Sequence, residues 1–456
     1  MGVDALRTAC QAEYDRAIAE LQRMIRQPSV AAQGVGIAET VALVTELIKG
    51  SGGTVQVLTD GVPGNPVIYA EFEGEGEATL LFYDHYDVQP AEPLHEWTTE
   101  PFCGEIREGK IFGRGTSDNK GEIAARLAAI RAVKAVNGGR LPCRVKFLIE
   151  GEEEIGSPAL YPALDRYHHL FAADACIWEF GNVDSDGRPQ LMGGVKGMAY
   201  MQAWVRHASV DLHSANAAVV DNPAWRLTWA LASLKGPDGR VLVPGFYDEI
   251  IPPTEAQRAV ARQIPVDAEV LKATYGIKRP LLTEQFGLDY IDQMVFQPTC
   301  TICGLESGYY GQGSKTVLPK EAQAKIDCRL VPGMDPEKVY TQFKAHLAAN
   351  GFDDVDLTLL NGQKAYWTDP DHPFVRLVTD TARDAWGAEP VYHLSASGTG
   401  PMYPFGNLLQ VPIVSTGSGY FASRAHAPDE NIRLADFQKG ILHMALLLSR
   451  FASLRA

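Results

Sequence analysis

No apolar run in this sequence approaches the roughly 20 residues a membrane-spanning helix needs, so no bilayer-embedded segment is expected. A basic excess is missing too. The formal net charge is −15, which argues against nucleic acid or an anionic membrane as partner. The first residues, Met1-Gly2-Val3-Asp4-Ala5, show no basic segment feeding an apolar core, and no secretory leader is expected. Cysteine is scarce and odd in number, 7 in 456 residues, which does not suit a disulfide framework and fits a reducing cytoplasm. Only Cys300-Thr301-Ile302-Cys303 has a redox- or zinc-like spacing. It has no second pair and a strand-like setting, so it reads as incidental. Internal repeats and low-complexity linkers are absent as well.

What is present is ample core material, 46% apolar residues in a chain too long for one ordinary core. Helical stripes (Ala17, Ile18, Leu21, Met24, Ile25, then Val41, Val44, Leu47, Ile48) stop near Pro28 and Gly50. Short apolar runs over 66–70, 79–83, 145–149 and 175–178 follow, with an alanine- and arginine-rich helix expected over 121–136. Continuous apolar strands alternating with helices predict an α/β fold, a mostly parallel sheet flanked by helices. From about Met198 the pattern alternates with period two, over 199–205 and 322–330, which predicts half-exposed antiparallel strands. The expected organisation is a discontinuous catalytic domain, 1–197 plus 369–456, carrying an inserted α+β domain, 198–368.

The chemistry gathers at strand ends, where parallel sheets bind ligands. The run Phe147-Leu148-Ile149 empties into Glu150, Glu152, Glu153 and Glu154 before breaking at Gly156. Carboxylates crowded at a buried strand end repel one another unless a cation neutralises them. An earlier strand delivers Asp84-His85-Tyr86-Asp87, where one residue of the His85/Asp87 pair could ligate a metal and the other orient it. A later strand ends on Glu179. Asp118 lies in a glycine-flexed turn, Gly113-Arg114-Gly115-Thr116-Ser117-Asp118-Asn119-Lys120-Gly121, where by itself it could equally be a helix cap. His426, in Arg424-Ala425-His426-Ala427-Pro428-Asp429-Glu430, would alone read as a surface histidine. Together these supply two histidines and about three carboxylates, an N/O set suited to zinc, with manganese or cobalt as substitutes.

His85-Tyr86-Asp87-Val88-Gln89-Pro90, Trp97 through Pro101, the Gly113–Gly121 turn, Glu153-Glu154 and His426 form an ordered series of five motifs. That series resembles the dizinc aminoacyl-peptidase family (M20-type metallopeptidases), which includes carnosinases, bacterial dipeptidases and acetylornithine deacetylase. The long insert and Cys328-Arg329-Leu330-Val331-Pro332-Gly333 look most like its carnosinase-type branch. The resemblance implies two Zn2+ per subunit, with His85 and Glu179 on one, Glu154 and His426 on the other, and Asp118 bridging. It implies Asp87 orienting His85, Glu153 as general base, and Glu150 and Glu152 as outer-shell or solvent residues. It further implies that His213, within Asp211-Leu212-His213-Ser214-Ala215-Asn216, steadies the oxyanion from the partner subunit of a homodimer formed through the insert. Arg329 would hold the substrate's free carboxylate, helped by backbone N–H groups of the Ser397-Gly398 loop. From its own context Arg329 reads as a solvent-facing strand residue, and the loop as a simple turn. The implied activity is hydrolysis of the amide bond of a small peptide, most simply a dipeptide. One departure favours an N-acyl-amino-acid deacylase instead: Glu179 stands where the carnosinase-type branch typically has aspartate. An inactive metal-binding scaffold is a remote alternative, because every ligand and the base are present.

Overall fold

The computed structural model describes residues 2–264, 266 and 268–454. The chain forms two compact units. The first comprises Met1–Gly194, Thr368–Leu394 and Pro404–Ala456, and the second Val195–Trp367 and Ser395–Tyr403.

The first unit is built on a ten-stranded sheet. Its centre is parallel: Arg144–Glu150, Thr79–His85, Ala175–Trp178 and Ile413–Ser415 lie side by side in that order. One edge is antiparallel, with Val67–Phe72 pairing Arg144–Glu150 and Thr54–Leu58 outermost on that side. The strand Thr79–His85 is buried at every position because both faces of the sheet are covered. Leu80 and Phe82 face a core shared with the helices Val3–Arg26, Lys120–Val136, Pro373–Trp386 and Leu434–Phe451. On the other face Tyr83 stacks on Trp178 at 3.9 Å between ring centroids, with Phe405 edge-on to both. Burying each such ring is worth about 1.5–3 kcal/mol, which fixes the register of the strand whose end carries the site. A fully buried ion pair, Arg126 with Asp84 at 2.7 Å, lies directly beneath that end. The same guanidinium donates to the carbonyls of Tyr83 and Trp178, both at 2.7 Å, and so ties two adjacent strand ends together.

The second unit holds an antiparallel four-stranded sheet ordered Thr301–Ser307, Glu321–Leu330, Gly197–Arg206, Asp356–Gln363. Alternate residues of Gly197–Arg206 (Ala199, Met201, Ala203, Val205) are buried against the helices Pro223–Leu234 and Pro336–Ala349. Both helices start where the sequence sets a cap before proline. The Asn222 side chain accepts from Ala224 N at 2.8 Å, and the Asp335 side chain from Glu337 N at 3.0 Å and Lys338 N at 3.2 Å.

The segment Ser395–Tyr403, far along the chain, belongs to the second unit. Local hydrogen bonds account for this: Lys196 N donates to Gly398 O at 3.0 Å, and Arg329 Nη1 to Thr399 Oγ1 at 2.7 Å. Among the described residues no helix is long and apolar enough to cross a membrane.

Candidate metal centre and active site

Strand ends of the first unit bring His85, Glu179 and the glutamate turn together, and two loops complete the cluster. His85 is fully buried. Its Nε2 lies 2.9 Å from Asp118 Oδ1 and 3.6 Å from Glu179 Oε2. The other oxygen of Asp118, Oδ2, meets His426 Nε2 at 3.0 Å, and that same nitrogen lies 3.1 Å from Glu154 Oε2. Asp118 therefore stands between two pairs, His85 with Glu179 on one side and His426 with Glu154 on the other.

The surrounding hydrogen bonds fix each member. The backbone carbonyl of Asp87 approaches His85 Nδ1 at 3.0 Å, while its carboxylate is 3.5 Å away. That carboxylate instead accepts from Glu153 N at 3.2 Å and Glu154 N at 3.1 Å, so Asp87 also pins the glutamate turn. Asp118 does not cap the helix that follows. Asn119 is the residue preceding Lys120–Val136, and its side chain makes no cap. Its amide instead accepts from His85 N at 3.2 Å and donates to Glu179 O at 2.7 Å, joining His85 to Glu179. Gln89 Nε2 donates to Glu154 Oε2 at 2.9 Å, which orients that carboxylate. Glu150 and Glu152 do not face solvent: Glu150 accepts from Tyr83 Oη at 2.5 Å and Ser157 Oγ at 2.9 Å, and Glu152 from Asn65 N at 3.0 Å. Asp184, five residues beyond Glu179, is occupied with its own turn, accepting from Asp186 N and Arg188 N at 2.9 Å each.

The electrostatics show what the cluster lacks. Burial opposes a charged His85, yet the Glu179, Asp118 and Asp87 carboxylates prevail and hold its pKa well above the usual histidine value. Hydrogen bonds to Asp118 and Glu154 lift His426 to about 10. Burial, then the neighbouring Glu153 carboxyl, pushes Glu179 well above the carboxylate range. Glu153 rises to about 7, from burial first, with His85 opposing and Asp118 and Glu154 adding to it. In Asp118 burial is outweighed by the two histidine contacts, which hold it below its ordinary value. Protons are thus retained where positive charge is wanted. Glu179 Oε2 is buried with no hydrogen-bond partner, an acceptor aligned with the same need. Ligand atoms of His85, Asp118 and Glu154 lie within 4.8 Å of one another. Imidazole nitrogens and carboxylate oxygens so close together fit a divalent cation.

Residues 81–450 match the peptidase family M20/M25/M40. The chain belongs to that family. It is 32% identical to a Beta-Ala-His dipeptidase of Rattus norvegicus over 69% of this chain and 65% of that protein, and so spans about two thirds of that relative. It is 26% identical to a Cys-Gly metallodipeptidase of Schizosaccharomyces pombe over 99% of both chains. The crystal structure of an M20 family metallo-carboxypeptidase from Sulfolobus solfataricus superposes with a TM-score of 0.89 at 36% identity, covering 96% of this chain and 99% of the other. The resemblance carried by the five motifs is borne out at the level of the family, and so is the α/β fold with its inserted α+β unit. A divalent metal cofactor accords with both the M20 family and the cluster.

The remaining expected residues lie in the second unit. His213 is exposed at the end of the short strand Leu212–His213, and its Nδ1 accepts from Ala215 N at 3.1 Å. That leaves the ring hydrogen on Nε2. Arg329 donates from Nε to Asp327 Oδ2 at 2.9 Å. Ser397 and Gly398 are exposed in the loop whose Thr399 receives the Arg329 guanidinium.

Glu430 is the residue that sequence reasoning passed over. Fully buried, it accepts from Arg114 Nη1 at 2.7 Å, Gly115 N at 3.0 Å, Ser117 N at 2.8 Å and Asp118 N at 3.0 Å. It joins the loop bearing His426 to the turn bearing Asp118. The spacing of four residues from His426 was its only sequence signal. Glu430→Ala should leave Arg114 buried and unpaired at a cost of about 3–5 kcal/mol, seen as a lowered urea midpoint. An unchanged midpoint would refute this role.

Proposed function

We propose that this chain is a dinuclear metallohydrolase that cleaves the amide bond of small peptides with a free carboxylate, dipeptides first among them. The observation that carries the reading is the division of Asp118, one oxygen toward His85 and the other toward His426. In this reading His85 and Glu179 would hold one Zn2+, Glu154 and His426 the second, and Asp118 would be shared, with Mn2+ or Co2+ as substitutes. When bound, such cations supply the positive charge that acidifies water and polarises a carbonyl. Glu153 takes the proton of the attacking water and returns it to the leaving nitrogen. The Nε2–H of His213 donates to the oxyanion as the carbonyl becomes tetrahedral. Arg329 holds the substrate carboxylate with its planar fork, and the Ser397-Gly398 backbone assists. The same reading makes the protein a cytoplasmic homodimer through the second unit, with His213 serving the partner's site. A fully active monomer in sedimentation would remove that role.

A second reading, hydrolysis of an N-acyl amino acid or of the last residue of a longer peptide, is favoured by Glu179 and by the likeness to a metallo-carboxypeptidase. Turnover of free dipeptides, N-acetyl amino acids and N-blocked peptides, measured with zinc or manganese supplied, separates the two. Dipeptides are expected to be cleaved at least tenfold faster than the blocked series, since one hydrogen-bonded recognition of a free amine is worth about 1.4 kcal/mol or more. Turnover confined to blocked substrates would overturn the dipeptidase reading.

A further inference from the structure

Cys300 has a partner other than the one its sequence spacing suggests. Cys303 lies in the edge strand Thr301–Ser307 and is exposed, whereas Cys300, just before that strand, and Cys328 are buried. The register pairs Thr301 with Asp327, which sets Cys300 directly opposite Cys328 on the neighbouring antiparallel strand. Thr299 N donates to Arg329 O at 2.9 Å and Arg329 N to Thr299 Oγ1 at 3.3 Å, so the pairing continues past the cysteines, which fall between the bonded positions 299/329 and 301/327. At such positions Cα atoms stand about 4.5 Å apart, inside the range a disulfide spans.

The setting gives the pair access and asymmetry. Cys300 lines a cavity of about 300 Å³ together with Leu231, Lys235 and Ile302. Lys235 Nζ donates to Cys300 O at 2.6 Å, which brings a cation beside the sulfur. Interaction with the Cys328 thiol, helped by Lys235 against burial, lowers the pKa of Cys300, and interaction with Cys300 together with burial holds Cys328 high. Cys300, the one of the two that lines the cavity, is the nucleophile and Cys328 the resolving thiol.

We propose that Cys300 and Cys328 form a reversible dithiol site, oxidised to a cross-strand disulfide by small hydroperoxides that enter this cavity. The Cys300 sulfur attacks one peroxide oxygen and the O–O bond breaks. That oxygen stays on sulfur as a sulfenic acid, and the other leaves as water with the Cys300 proton. The Cys328 sulfur then attacks Cys300, the S–O bond breaks, and a second water leaves with the Cys328 proton. Two thiols lose two electrons and one hydrogen peroxide becomes two waters. The new bond staples the edge strand Thr301–Ser307, exposed along most of its length, to Glu321–Leu330. This site is independent of the hydrolytic reading.

The test uses the full chain carrying Cys303→Ser, natively folded and exposed to hydrogen peroxide, then alkylated and peptide-mapped. Two fewer free thiols than in the reduced control, a Cys300–Cys328 cross-linked peptide, and reversal by dithiothreitol are expected. Adding Cys328→Ser should abolish the cross-link and leave a sulfenic acid on Cys300 that dimedone traps. Full alkylation of both thiols after peroxide, or a cross-link formed only once the chain is unfolded, would overturn the proposal.

Discussion

Glu153→Gln is expected to lower kcat by about 10²–10⁴-fold, the range that a positioned general base contributes, while the protein keeps its fold and its metal. The expectation follows from where Glu153 stands. Its backbone amide is held by Asp87, and its carboxyl shares its field with His85, Asp118 and Glu154. None of the ion pairs joining the two histidines to carboxylates uses its side chain. Glutamine preserves size and the turn but cannot accept and return a proton. Metal content by emission spectroscopy, read beside kcat, separates this role from ligation. A variant that lost its metal along with its activity would make Glu153 a ligand, and one that kept full activity would remove the base altogether.

On the dinuclear reading Asp118→Ala should have the opposite signature: loss of both metals together with all measurable turnover. Among the described residues Asp118 alone touches both His85 and His426, so its removal takes an oxygen from each side at once. The effect is visible without any substrate. A ligand present at 100 times its Kd stabilises a fold by about 2.7 kcal/mol, so wild-type chain should melt higher when zinc is added and the variant should not. His426→Ala is the comparison, since it removes only one side. An Asp118→Ala chain that still gained thermal stability from zinc in the manner of wild type would break the shared-ligand reading.

Much of this was legible in the residues because the signals were local. Helices over Pro223–Leu234 and Pro336–Ala349 begin at Asn-Pro and Asp-Pro caps and begin there in the structure. The strand Thr79–His85 announces itself as an apolar run ending in polar residues. His85, Asp118, Glu154, Glu179 and His426 came from strand ends, a glycine-rich turn and the family resemblance, and the structure brings all five together. What stayed hidden depends on contacts far apart in sequence. Nothing near Glu430 says that its carboxylate will collect four donors from the turn around Ser117. Nothing near Arg126 says that it will bind strand ends from below, and an alanine-rich helix ordinarily presents its arginines to water. Cys328 sits one residue from Arg329, where attention went to the guanidinium, and its pairing with Cys300 emerges only once strand register is fixed.

The first unit is assembled from three stretches of chain, and this has a consequence for biosynthesis. His426 and Glu430 arrive in the last of them, 308 and 312 residues after their partner Asp118. A ribosome therefore exposes the acidic half of the centre long before the second histidine exists. The second unit's long stretch, Val195–Trp367, is complete by then and its four strands can pair. On the proposed reading, hydrolytic capacity would arise only as the closing loop is released.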